Sequence, residues 1–142
     1  MDTEASVHYP QTNKLLVDAY GQLFSSSTKP IDASWNEVGY KCRDTMIDFA
    51  KEVFEPTFLP EDQEMPKEED AGNKFKWTAR YYLKAEASGD RYRESIEKII
   101  ESNWRFINSL GHRRDSANEF DARLAVIYTY LTIWLMDNII VQ

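Results

Sequence analysis

The chain contains one segment that is apolar on nearly every side of a helix, Phe120-Asp-Ala-Arg-Leu-Ala-Val-Ile-Tyr-Thr-Tyr-Leu-Thr-Ile-Trp-Leu-Met-Asp-Asn-Ile-Ile140. The segment is preceded by Ser116-Ala-Asn-Glu119, which has the spacing of a capping box at a helix start. A helix with so little polar surface lies either at the centre of a bundle or in a dimer interface. Its longest apolar part, residues 124–136, includes two threonines and is too short to span a bilayer, so we expect a soluble protein.

The remainder of the chain repeats apolar residues at helical spacing, and no convincing alternating strand pattern interrupts it. A second capping box, Ser34-Trp-Asn-Glu37, opens one of these helices, and Gly111 can terminate another. We therefore predict a single all-α domain over residues 1–142, built as a bundle of about five helices. Four of them precede the apolar segment, over about residues 11–24, 34–54, 73–87 and 90–110.

An acidic, proline-containing connection is predicted at about residues 55–73. Its central part, residues 61–70, has six acidic side chains against Lys67 and includes Pro66. An acidic cluster can hold a metal ion, but the ligands need a rigid frame that such runs seldom provide. We therefore predict a solvated and mobile connection rather than a metal site.

Composition limits the classes of function further. Hydrophobic residues make up 42% of the chain, which is enough for one hydrophobic core. Cys42 is the only cysteine and the chain has two histidines, so an internal disulfide, a cysteine-based zinc site and a multi-histidine metal site are all excluded. Residues 1–9 have no signal-peptide character. We expect a cytoplasmic protein without a cofactor or metal.

The net charge of −7 is unevenly distributed. Residues 1–73 carry six basic and 15 acidic side chains, whereas residues 74–114 carry ten basic and five acidic ones. The middle of an acidic chain is therefore basic. Such a region can attract polyanions, although solvated helix faces also collect Lys and Arg.

The basic region ends in the segment Trp104-Arg-Phe-Ile-Asn-Ser-Leu-Gly-His-Arg-Arg-Asp115, which holds the candidate site. Arg105 and His112 are seven residues apart, nearly two helical turns. With Arg113, Arg114 and the free amides at the start of the last helix, they would form a phosphate-binding pocket in which His112 is a general acid or base. Alternatively, Arg105 pairs with Glu101, His112 caps the preceding helix, and the other arginines are solvated.

An arginine followed after six residues by a histidine, between the last two helices of a small bundle, resembles the HEPN superfamily. The resemblance implies a metal-independent endoribonuclease or RNA-binding protein of a bacterial or archaeal defence or toxin system, commonly a homodimer. By the same resemblance Arg105 and His112 would be catalytic, while Arg113, Arg114 and Asn108 would bind RNA. The products would be a 2′,3′-cyclic phosphate and a 5′-hydroxyl.

Two other interpretations remain open from the residues themselves. The apolar C-terminal helix would also suit a non-catalytic assembly or adaptor domain that binds a protein partner through that helix. Separately, Lys74-Phe-Lys-Trp-Thr-Ala-Arg-Tyr-Tyr82 mixes cations with aromatic rings, as single-strand RNA binders do. The same spacing describes an amphipathic helix that buries its rings, which is the interpretation that we favour for this segment.

Overall fold

A computed structural model describes residues 32–84, 89–110 and 117–141 of the protein. This part of the chain contains four α-helices and no strand, which confirms the all-α prediction: α1 (Asp32–Val53), α2 (Ala71–Leu83), α3 (Gly89–Leu110) and α4 (Glu119–Ile140). A short 3-10 helix, Pro56–Phe58, follows α1. The four helices correspond to the last four of the five predicted, and the predicted helix at residues 11–24 lies outside the described residues.

Helix α3 runs antiparallel to the three other helices. Its last turn lies against the first part of α1, because Leu110 is the nearest neighbour of Gly39 and Arg43 is hydrogen-bonded to Asn108. Helix α3 is also antiparallel to α2, as the pairs Gly72–Trp104 and Arg80–Glu97 show. It is antiparallel to α4, as the pairs Phe106–Tyr128 and Asn103–Thr132 show. The C-terminal end of α3 and the N-terminal end of α4 therefore lie at one end of the bundle.

The hydrophobic core lies between the four helices. Its largest fully buried apolar side chains are Val38, Met46, Phe49, Phe75, Ile107 and Met136. Phe49 of α1 and Phe75 of α2 are in tilted ring contact, with centroids 5.8 Å apart. Burial raises the pKa of the Cys42 thiol to about 12, so this cysteine stays protonated and unreactive at neutral pH.

The asparagine and threonine side chains that are buried in the core are hydrogen-bonded. Asn103 Nδ2 donates to Thr132 Oγ1 at 3.1 Å, and this hydroxyl donates in turn to the Tyr128 carbonyl at 2.8 Å. Thr129 donates to the carbonyl of Ala125 at 2.7 Å. All three bonds lower the cost of burying the polar groups, and the bond between Asn103 and Thr132 also joins α3 to α4 at a defined register.

Helix α4 begins with a capping box that differs from the predicted one. The sequence suggested Ser116 and Glu119, but in the structure Asn118 is the N-cap, and its side chain accepts from the Asp121 amide. The Asp121 carboxylate accepts from the Asn118 amide in return. The helix therefore starts at Glu119, two residues later than the Ser116 box would place it, because the sequence contains both patterns and the later one forms the capping box.

Replacing Asn118 with alanine is expected to destabilise the protein by about 1 kcal/mol, because the mutation frees one amide of the first helical turn. Urea unfolding followed by circular dichroism measures the change. Ser102→Ala, at an exposed position inside α3, is the control, and we expect it to change stability by less than about 0.5 kcal/mol. Equal losses in the two variants would show that the cap contributes nothing specific.

In the connection between α1 and α2, residues 60–65 and 67–69 are all exposed. Both of its ends are nevertheless attached to the helices. Phe58 stacks on Tyr81 with centroids 4.2 Å apart, and Lys51 Nζ lies 2.7 Å from Glu68 Oε1. Among the described residues no group of His, Cys, Asp and Glu side chains could hold a metal ion. Likewise, none of the helices described here has the length and apolar character needed to cross a membrane.

Candidate functional site

Arg105 lies near the C-terminal end of α3, on its exposed surface. Its side chain is 75% exposed, and Nη2 donates to Glu101 Oε1 at 2.6 Å. This is the pairing one helical turn away that the sequence offered as the alternative to a catalytic role. Exposed ion pairs of this kind contribute at most about 1 kcal/mol, so Arg105 can exchange Glu101 for another anion at little cost.

Asn108, predicted to bind RNA, connects α3 to α1. Its Oδ1 accepts a hydrogen bond from Arg43 Nε at 3.0 Å, in a partly buried position. The carboxamide oxygen is therefore occupied within the protein, and Nδ2 is the group that remains for a ligand. The other three predicted site residues, His112, Arg113 and Arg114, lie outside the described residues.

Backbone amides at the start of α4 are bonded to protein groups. The Ala117 amide donates to Asn36 Oδ1 at 2.7 Å, and the Asp121 amide donates to Asn118 Oδ1 at 2.8 Å. The expectation that free amides face the preceding loop is therefore wrong for these two positions. The first turn of α4 also carries the carboxylates of Glu119 and Asp121, which disfavour a phosphate there.

A groove of about 430 Å³ lies between α2 and α3, and Arg105 and Asn108 border it. Its charges are balanced, with three cations and three anions: Lys76, Arg80, Arg105, Asp70, Glu97 and Glu101. Arg80 makes two hydrogen bonds to the Glu97 carboxylate, at 2.7 and 3.3 Å. The excess of positive charge in residues 74–114 therefore does not make this groove a basic cleft.

The floor of the groove depends on a glycine. A Cβ atom placed on Gly72 would lie only 2.7 Å from Trp104 Cδ1, which is closer than side chains pack. The absence of a side chain thus lets the indole of Trp104 rest against the backbone of α2. This contact sets the distance between α2 and α3 along the groove.

The outer side of α4 carries a continuous row of mostly apolar side chains, which we call the α4 seam. Successive members alternate in spacing between four and three residues: Phe120, Leu124, Ile127, Leu131, Trp134, Asn138 and Val141. Phe120 is 67% exposed, and Ile127, Trp134 and Val141 are each more than half exposed. The seam is therefore a contiguous apolar surface in the single chain, and surfaces of this kind are candidates for interaction sites.

The inner side of α4 explains why the sequence of this helix is apolar on nearly every side. Small and medium side chains face the bundle and are buried there: Ala122, Ala125, Val126, Thr129, Thr132, Ile133, Met136 and Ile139. Helix α4 thus has two apolar sides, one inside the core and one in solvent. The inner side packs within the bundle, as the first of the two placements that the sequence allowed requires, while the outer side is exposed.

Comparisons of the chain with protein-family models, with curated proteins and with solved structures found no match.

Proposed function

We propose that the protein is a helical assembly module that forms a two-fold dimer through the α4 seam. The observation that carries the proposal is the exposure of the seam along the full length of α4. Large apolar side chains in solvent cost free energy that a partner surface would recover. A second copy of the chain would supply such a surface, because it carries an equally apolar seam.

The spacing of the seam supports a helical partner with the same period. Apolar residues that alternate by three and four positions repeat every 3.5 residues, which is the period of a coiled-coil interface. A helix that packs on a globular surface instead uses a wider stripe at a 3.6-residue period. Because both copies carry an identical seam, a two-fold pair buries both seams equally. No seam is then left for a third copy, so the assembly stops at a dimer.

Side-chain size favours an antiparallel pair. In that arrangement Phe120 faces Val141 of the second copy and Ile127 faces Trp134, so each large side chain meets a smaller one, with Leu131 near the two-fold axis. A parallel pair would place Trp134 of one copy against Trp134 of the second copy. Antiparallel helices also align their dipoles favourably.

Sedimentation velocity of the full chain tests the proposal. We expect a species of twice the 16.6 kDa chain mass at tens of micromolar protein, with dissociation on dilution. A monomer across this concentration range would contradict the proposal, even if another segment of the chain covers the seam.

Cysteine cross-linking tests the orientation. A mixture of Ile127→Cys and Trp134→Cys chains should form a disulfide between the two variants if the pair is antiparallel, whereas Val141→Cys alone should not. Rapid disulfide formation by Val141→Cys alone would show a parallel pair. The native thiol of Cys42 does not take part in disulfide formation because it is fully buried.

A second candidate function is the metal-independent RNA cleavage implied by the HEPN resemblance. The observation that favours it is the exposed position of Arg105, whose only described partner is a weakly held carboxylate on the same helix. Arg105 would bind the scissile phosphate, and His112 would move the proton. A cleft shared by two copies requires the ends of the two bundles that carry Arg105 to lie together. Parallel pairing of the α4 helices provides this arrangement, and antiparallel pairing does not.

Arg105→Ala is expected to reduce RNA cleavage by about 100-fold or more, since one group that stabilises developing charge contributes on this scale. The assay mixes RNA with protein and EDTA and detects 2′,3′-cyclic phosphate ends. Arg123→Ala is a matched control, because Arg123 pairs with Glu119 at 3.0 Å in the same one-turn geometry on α4. Intact RNA with the wild-type protein, or cleavage unchanged in Arg105→Ala and in His112→Ala, would exclude this candidate.

A further inference from the structure

Helix α2 carries cations and aromatic rings in two adjacent rows on its outer side. We call this set, which includes the C-cap residue Lys84 directly after the helix, the α2 strip: Lys76, Trp77, Arg80, Tyr81 and Lys84. Residues four apart share one side of a helix, so the cations form one row and the two rings form the other. The interpretation that this segment buries its rings is only partly correct. Phe75 is fully buried, whereas Trp77 is half-buried and Tyr81 is 41% exposed.

Each ring of the strip has a cation over it. Lys76 Nζ lies 4.8 Å from the centroid of the Trp77 ring, and the Arg80 guanidinium lies 5.1 Å from it. Lys84 Nζ lies 4.6 Å from the centroid of the Tyr81 ring. Contacts of this kind at exposed positions are weak, so a ligand with its own flat ring and negative charge can replace them.

The Tyr81 ring is held in place from below by the connection after α1. Phe58 stacks on it at an interplanar angle of 20°, and Tyr82 meets both rings edge-on. A ring that is fixed before a ligand arrives loses little conformational entropy on binding. Tyr81 is therefore a preformed stacking platform at the surface.

The cations of the strip differ in their availability. Arg80 is committed to Glu97 through two hydrogen bonds. Lys76 and Lys84 have no carboxylate within ion-pair distance in the part of the chain that the structure describes. The strip thus offers two ammonium groups beside two rings, with the charge of Arg80 already balanced.

We propose that the α2 strip binds a single-stranded polynucleotide. Bases stack on Tyr81 and Trp77, while Lys76 and Lys84 move from the rings to the phosphates. Stacking on aromatic side chains combined with a line of cations is the physical basis of single-strand binding that does not depend on sequence. The net charge of −7 limits this attraction to the strip itself and makes it sensitive to salt.

The geometry of α2 suits an extended strand. Trp77 and Tyr81 are one turn apart, about 6 Å along the helix axis, so neighbouring bases can reach the two rings. Neither ring contact nor phosphate contact reads the 2′-hydroxyl, which is the group that separates RNA from DNA. The strip is therefore expected to bind both kinds of single strand, and this site is distinct from the RNA-cleaving site considered above.

Fluorescence anisotropy with fluorescein-labelled oligo(rU) and oligo(dT) of about 12 nucleotides tests the proposal on the full chain. We expect binding at about 50 mM salt that weakens strongly by about 200 mM salt, and dissociation constants for the two oligonucleotides within a few-fold of each other. Tyr81→Leu retains packing on Phe58 but removes the stacking surface, and we expect it to weaken binding by about ten-fold. Circular dichroism verifies that the variant is folded.

Charge reversal provides the matched comparison. Lys84→Glu should weaken binding by about ten-fold at low salt, whereas Lys98→Glu, which makes the same change on the exposed side of α3, should not. The proposal is overturned by equal losses in both lysine variants, by unchanged binding in Tyr81→Leu, by binding of oligo(rU) alone, or by no binding at low salt.

Discussion

Replacing Trp134 with glutamate is expected to convert the dimer to a monomer at tens of micromolar protein. Trp134 is 56% exposed in the single chain and lies in the second half of the α4 seam, opposite Ile127 of the proposed second copy. Pairing of the seams would bury the new carboxylate without a partner. Burial of an unpaired charge costs about 3 kcal/mol or more, which raises the dissociation constant by at least about 100-fold. Sedimentation velocity over a dilution series measures the change.

Tyr92→Glu is the matched control for this variant. Tyr92 has the same 56% exposure but lies on α3 and is not a member of the seam. The control removes an exposed aromatic ring and adds the same charge, so we expect it to leave the dimer intact. Equal dissociation in both variants would mean that net charge, rather than the seam, governs association. Unfolding of the Trp134→Glu monomer in urea should stay cooperative, because this side chain contributes little to the core of a single chain.

Replacing Phe75 with alanine is expected to destabilise the protein by about 3–5 kcal/mol, the usual cost of removing a buried aromatic side chain. Phe75 is fully buried and joins α2 to α1 through its contact with Phe49. Urea unfolding should be measured in the Trp134→Glu background, so that dimer formation does not add to stability.

Tyr92→Ala in the same background is the comparison for the core variant, and we expect it to change stability by less than about 0.5 kcal/mol. A loss below about 1 kcal/mol in Phe75→Ala would contradict the packing of α2 against α1. If Phe75→Ala does not fold at all, Phe75→Leu serves in its place, with a smaller expected loss because most of the buried volume is retained.

Local signals in the sequence were sufficient to predict the helices, but they placed the helix ends only approximately. The predicted helix from residue 73 begins two residues earlier, at Ala71, because the Asp70 side chain accepts from the Asn73 amide and caps the helix there. At α4 two overlapping capping patterns compete, and tertiary contacts decide between them. The Ala117 amide, just before this helix, is bonded to Asn36, which is 81 residues away in sequence. No local pattern can reveal such a contact.

The candidate sites were predictable to different extents. The pairing of Arg105 with Glu101 follows from their one-turn spacing and was anticipated as an alternative. The hydrogen bond from Arg43 to Asn108 could not be predicted, because it depends on how α1 packs against α3. The spacing of the α4 seam was present in the sequence. It was hidden by an equally apolar inner side, and only the packing of the bundle shows which side remains in solvent.

Oxidative cross-linking of Leu131→Cys tests most directly whether the α4 seam is the interface between two copies. Leu131 would lie near the two-fold axis, and the buried Cys42 does not compete for oxidation. We predict that most chains form an intermolecular disulfide rapidly, while Tyr92→Cys, at an exposed position outside the seam, forms one slowly. Equal and slow oxidation of the two variants would contradict the assembly function proposed for this protein.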